Sequence, residues 1–258
     1  MKKLLLPLLA ILLFISCEKQ ISIDKKSPKV TICHHDALTG TNKTISINAN
    51  AWPAHQAHGD LLGDCSAVIT TLCGKDWMVK NLDVATYRDG TPIPNESIDA
   101  TWAGLTTGAW CYYDNNPANG IIFGKLYNWY AVNDPRGLAP KGWHVPSDVE
   151  WTTLSDCLGG QEVAGGKMKE TGTTHWVAPN TDATNSSGFT GLPGGFRVSP
   201  GPFYILDSGG KWWSSTEDNI FEPGGIAAWD RNLDYNAGYI GSANELKKNG
   251  YSVRCVRD

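Results

Sequence analysis

Four of the six histidines in this 258-residue chain, His34, His35, His55 and His58, fall within 25 residues, and Asp60 follows two positions after the last of them. Neutral imidazole nitrogens and a carboxylate oxygen are donors that zinc and neighbouring transition metals accept. His55 and His58 are three positions apart, so a helix sets both on one face. His34 and His35 are adjacent, and adjacent residues of a strand point to opposite sides, so only one of them can join the pair. The expected ligand set is His35, His55, His58 and Asp60, with zinc as the ion. Cys33 and Cys65 bracket the stretch. They offer thiolates as alternative ligands, or a disulfide around which the histidines hydrogen-bond locally and pack.

These residues need a scaffold. Val30-Thr31-Ile32-Cys33 is β-prone, 38–42 reads as a turn, and Lys43-Thr44-Ile45-Ser46-Ile47 alternates polar and apolar residues as a half-buried strand does. Asn50 is the expected cap of a short helix over 51–58, with Pro53 in its first turn and Gly59 at its end. A hairpin and two helical turns, residues 30–66, bury little apolar surface, so the unit needs a staple. A Cys33–Cys65 bridge contributes about 3–4 kcal/mol in chain-entropy terms.

The compartment is read from the start of the chain. Lys2 and Lys3 precede an apolar run over 4–15, shorter than the ~20 residues a membrane-spanning helix needs. Residues 1–16 therefore read as a signal peptide. Phe14-Ile15-Ser16-Cys17 resembles a lipobox, which implies that Cys17 becomes a lipidated mature terminus, with membrane lipid as its partner. The polar stretch 17–29 then serves as a tether. The expected location is the outer membrane or cell surface, with the folded part outside the cytoplasm. Cys33, Cys65, Cys73, Cys111, Cys157 and Cys255 remain, an even number that suits disulfides in an exported chain. The formal net charge is −4, and no basic patch suggests a nucleic-acid partner.

With 28 Gly, 14 Pro and 11 Trp against 3 Met, the rest of the chain reads as loop-rich, with short strands around an aromatic core. One helix is explicit: Ser147 caps it, Glu150 completes a capping box, Trp151, Leu154 and Leu158 share a face, and Gly159-Gly160 stops it. A second helix is expected over 126–132, and strands over 77–82, 143–145, 211–214, 227–232 and 251–256. The class is α+β.

Several ordered motifs carry a resemblance. They are Trp77-Met78-Val79-Lys80-Asn81-Leu82, the run 137–151 containing Gly142-Trp143-His144-Val145-Pro146-Ser147, and Asn185-Ser186-Ser187-Gly188-Phe189. Leu192-Pro193-Gly194-Gly195-Phe196-Arg197, Trp212-Trp213-Ser214-Ser215 and Ser252-Val253-Arg254-Cys255-Val256-Arg257-Asp258 complete the set. Over 70–258 the chain resembles the Fibrobacter succinogenes major paralogous domain. The resemblance implies a C-type-lectin-like or formylglycine-generating-enzyme-like layout, in a family with no established biochemical activity. It also implies a long Cys157–Cys255 bridge, leaving Cys73 to pair with Cys111. Ala139 departs from the family, which usually has Cys there. The Cys-His…His-x-x-His-Gly-Asp…Gly-x-Cys stretch before the domain resembles accessory modules of exported bacterial proteins.

Formylglycine-generating enzymes hold copper on a pair of C-terminal cysteines, whereas only Cys255 stands near this terminus. No nucleophile elbow or recognisable pair of catalytic carboxylates is present. These features favour a non-catalytic binding or display module, with a glycan or a surface protein as partner. An enzyme related to the formylglycine-generating fold and a metal-binding accessory protein are the competing expectations. Trp102, Trp110, Tyr112, Tyr113, Trp129, Trp176, Trp212, Trp213 and Trp229 are the rings available to stack on sugars or to fill a core. Glu222-Pro223-Gly224 and Trp229-Asp230-Arg231 lack the oxygen ligands of a lectin calcium site, and Arg231 brings a positive charge there.

Overall fold

The computed structural model describes residues 28–218 and 225–258; the stretch expected to be a signal peptide, Cys17 and Glu222-Pro223-Gly224 lie outside them. The first unit is a hairpin of β1 (Lys29–Asp36) and β2 (Thr41–Asn48), then α1 (Trp52–Gln56), β3 (Leu61–Leu62) and α2 (Cys65–Val68). The order is β2-β1-β3, all antiparallel, with Val30 opposite Ile47 and Cys33 opposite Leu61. Asp36 closes the hairpin turn by accepting the N–H of Leu38 and Thr39. The helix cap differs from expectation. Asn48 caps a 3-10 turn over 49–51 by accepting the Asn50 N–H, and α1 follows directly. Cys33 and Cys65 form the expected bridge.

The second unit contains β4 (Ile69–Leu72), β5 (Lys75–Met78), α3 (Asp99–Gly104), β6 (Trp110–Cys111), α4 (Pro117–Phe123), β7 (Leu126–Tyr127) and α5 (Trp129–Val132). It continues with β8 (Trp143–His144), α6 (Asp148–Cys157), α7 (Gln161–Met168), β9 (Gly194–Arg197), β10 (Phe203–Leu206), β11 (Gly209–Asp218), β12 (Ala227–Asp234), β13 (Gly241–Leu246) and β14 (Val256–Arg257). A five-stranded sheet runs β10-β9-β11-β12-β13, and a four-stranded one β4-β5-β14-β8. The mixed helix and strand content agrees with an α+β class. No helix among the described residues is long and apolar enough to cross a membrane.

The capping box of α6 forms as its residues dictate: Ser147 Oγ accepts the Glu150 N–H, and Glu150 Oε2 accepts the Ser147 N–H at 2.9 Å. Trp151 and Leu154 are buried beneath it with Trp77, Phe189, Trp212 and Val256. Arg231 pins the start of α6 to β12, donating to Asp148 Oδ1 at 2.5 Å and to Thr152 Oγ1 at 3.0 Å. The expected helix over 126–132 splits instead: β7 pairs with β6, and Asn128 then caps α5 by accepting the Ala131 N–H. Of the strand expected over 251–256, only β14 is regular; Tyr251 and Ser252 make isolated bridges to Tyr127 and Trp212.

The pairing of Cys157 with Cys255, and of Cys73 with Cys111, is corrected. Cys73 bridges to Cys157, while Cys111 and Cys255 are buried free thiols. Alternation along extended backbone is the reason. Val256 faces the cluster under α6, so its neighbour Cys255 faces the opposite cluster, with Met78, Trp143 and Val145. Cys111 lies in a third cluster with Trp102 and Tyr113.

Buried cations and indoles hold the loops. Arg254, 1 % exposed, donates to Met78 O at 2.9 Å, Phe189 O at 2.6 Å and Asn81 Oδ1 at 2.9 Å. Lys169 donates to the carbonyls of Thr181, Asp234 and Ala237. Replacing Arg254 by Met leaves two buried carbonyls without this donor and is expected to cost at least about 3 kcal/mol in urea unfolding. A loss below about 1 kcal/mol contradicts the assignment of Arg254 as a core tie. Peptide mapping without reduction should recover Cys33 linked to Cys65 and Cys73 linked to Cys157. Cys111 and Cys255 should be alkylated only after unfolding.

Candidate metal centre

Asp60 is the hub of the histidine cluster, and its side chain is fully buried. Its Oδ2 accepts hydrogen bonds from His34 Nδ1 at 2.8 Å and His55 Nδ1 at 2.7 Å, and His58 Nδ1 lies 3.7 Å away. Its Oδ1 accepts the backbone N–H of His35 at 2.9 Å. The three rings stand 5.3–6.0 Å apart, centroid to centroid. One potential ligand atom from each of His34, His55, His58 and Asp60 falls within a 4.8 Å span.

Local backbone explains the convergence. The chain leaving α1 wraps around the His55 carbonyl, which accepts the N–H of both His58 and Asp60. Gly59 makes the wrap possible with φ +92°, a conformation that glycine adopts without a steric penalty. The turn swings Asp60 beneath His55 and towards β1, where His34 meets it.

His34 therefore takes the place expected for His35. The His35 ring turns to the other side of β1, where its Nδ1 pairs with Asn42 Oδ1 at 2.9 Å, and Asn42 is its partner across the hairpin. Strand alternation specifies that one of the two faces the centre. Which one depends on the side of β1 that α1 packs against, and no local signal in the sequence states it. With Cys33 and Cys65 bridged, the thiolate alternative does not arise.

The donor set is three nitrogens and one oxygen, and the His58 side chain is half exposed, which leaves a path from solvent. In tetrahedral zinc sites, bonds of about 2.0–2.1 Å hold neighbouring ligand atoms ~3.3 Å apart. The pairs at 2.7–2.8 Å are closer than this and the His58 pair at 3.7 Å is wider. An ion would thus displace the shared protons and draw together donor atoms that now lie within 4.8 Å of one another.

Two opposed effects act on Asp60. Burial raises its pKa, but hydrogen bonds from His34, the His35 N–H and His55 outweigh it and hold the carboxyl below the ordinary 3.8. A depressed carboxyl adds stability that is complete above its unfolded value and disappears as pH falls through the folded one. Metal-free Asp60→Asn should therefore unfold with a shallower pH dependence than the parent below about pH 4, read by circular dichroism. Superimposable acid-unfolding curves would contradict the charged hub.

Other candidate residues lie elsewhere. Trp102, Trp110, Trp129, Trp176, Trp212, Trp213 and Tyr113 are buried, so they fill the core, while Tyr112 and Trp229 are partly exposed. Arg231 is engaged with α6, as described above.

Comparison with known proteins finds no match among curated proteins and none among solved structures. The family profile of the Fibrobacter succinogenes major domain matches residues 71–257, from β4 to β14. The histidine module precedes that match, whereas the paired sheets, α6 and the buried Arg254 lie within it. The chain belongs to the Fibrobacter succinogenes major domain family.

Proposed function

We propose that this protein is a non-catalytic, lipid-anchored component of the cell envelope whose N-terminal module binds a transition-metal ion of the zinc class. The family domain, in a lectin-like or formylglycine-generating-enzyme-like layout, serves as the platform. The carrying observation is that His34, His55 and His58 surround the buried Asp60 carboxylate. Three imidazoles select against calcium and magnesium, which prefer all-oxygen shells, and suit zinc or copper. A glycan partner has less support, because most of the large rings that could stack on sugar are consumed by the core. Attachment to lipid through Cys17 rests on the short apolar run and the lipobox-like tetrad before it.

The mature chain in detergent, stripped with chelator and dialysed against zinc, should retain one ion per molecule by elemental analysis. The His55→Ala, His58→Ala double variant should retain none while keeping its Cys33–Cys65 bridge. A folded parent that holds no metal above background would end the metal reading. Intact mass spectrometry should find acyl chains on Cys17, and an unmodified Cys17 in membrane-extracted protein would end the anchoring one.

A further inference from the structure

The metal centre lies beside the seam between the module and the family domain. Gly59, between the ligands His58 and Asp60, is one point of contact. Its carbonyl accepts the indole N–H of Trp143 at 3.0 Å, in a buried bond. A Cβ on Gly59 would fall 2.0 Å from the Lys141 carbonyl oxygen. Trp143 has no exposed surface, belongs to the family-matched segment, and carries the Arg257 guanidinium over its ring at 4.3 Å. A second path leaves the centre through His35, whose N–H binds Asp60 and whose ring binds Asn42. Asn42 in turn donates to Asp76 at 2.7 Å and accepts from Arg257, both on the family domain.

Cys33, Leu61 and Cys65 of the module pack into a buried cluster of the family domain. A cleft of about 280 Å³, lined by Trp52, Leu61, Leu62, Met78, Leu82 and Pro140, runs beside Asp60. The hydrogen bonds at Gly59 and Asn42 add directional registration between the two units to that apolar packing. Adjacent Cα atoms are held 3.8 Å apart, so Gly59 cannot move without moving a ligand on either side of it.

We infer that Trp143 and Gly59 are positioning residues for the metal centre: docking of the module on the family domain sets the geometry of His58 and Asp60, and a bound ion in return clasps the module to the domain. This rests on the metal reading above. Coupling of this kind is reciprocal, so contacts that favour the docked state raise metal affinity and metal favours docking.

The test uses the full mature chain with cobalt(II) as a spectroscopic probe and zinc in competition with a chelator. Trp143→Phe keeps most of the ring and removes the N–H; Gly59→Ala keeps all four ligands and forces the turn off Lys141. Each is expected to weaken zinc binding by on the order of tenfold to a hundredfold, the range typical of lost outer contacts. Each should also shift the cobalt bands away from the parent spectrum, which a general loss of stability alone would not do. Without any variant, zinc should slow hydrogen exchange at residues 139–145 of the parent, which also covers the case in which a variant fails to fold. Parental affinity and spectrum in both folded variants, or unchanged exchange at 139–145 with zinc bound, would overturn the clasp while leaving the metal site standing. A parent that binds neither metal would remove both.

Discussion

Backbone that leaves regular ladders carries carbonyls and amides into the interior, and each needs a partner there. Many strands of this chain are only two to four residues long, so side chains supply much of what ladders do not. Arg254 and Lys169 give their charged donors mainly to backbone carbonyls rather than to carboxylates. The indoles of Trp102, Trp110, Trp129, Trp176 and Trp213 each donate to a carbonyl from another part of the chain. An indole suits this role because it fills volume and delivers one donor at its edge. The high tryptophan and low methionine content follows from that demand.

Trp143 obeys the same rule, but its acceptor lies outside the family-matched segment. By donating to Gly59, it satisfies the domain's interior with a carbonyl of the module. Cys33 of the module also belongs to the buried cluster containing Met78, Trp143, Val145 and Cys255. The two units therefore share one core across their boundary, and the histidine centre forms where they meet. Asp60 is buried as an anion because four donors or near-donors face it: three imidazoles and the His35 N–H. Without them its desolvation would favour the neutral acid.

Much of this was legible in the residues. The hairpin, the Cys33–Cys65 bridge, the capping box of α6 and the aromatic core all follow from local rules of alternation, capping and composition. The motifs carried the family. The boundaries of short elements were less legible. At 126–132 an apolar run serves as a two-residue strand and then a single helical turn, because Asn128 interrupts it by capping the second piece. The caps of the module shifted from Asn50 to Asn48 because the chain enters α1 through a 3-10 turn.

Sequence alone determined the donor types, the spacing of His55 and His58, the glycine that allows the turn between them and Asp60, and the charge pattern that disfavours nucleic acid. Those are properties of neighbours along the chain. Tertiary structure alone decided that His34 rather than His35 faces Asp60, that Cys73 rather than Cys255 reaches Cys157, and that Trp143 closes on Gly59. Each is a choice between two faces of an extended segment. Alternation makes the two faces equivalent until a distant element packs against one of them.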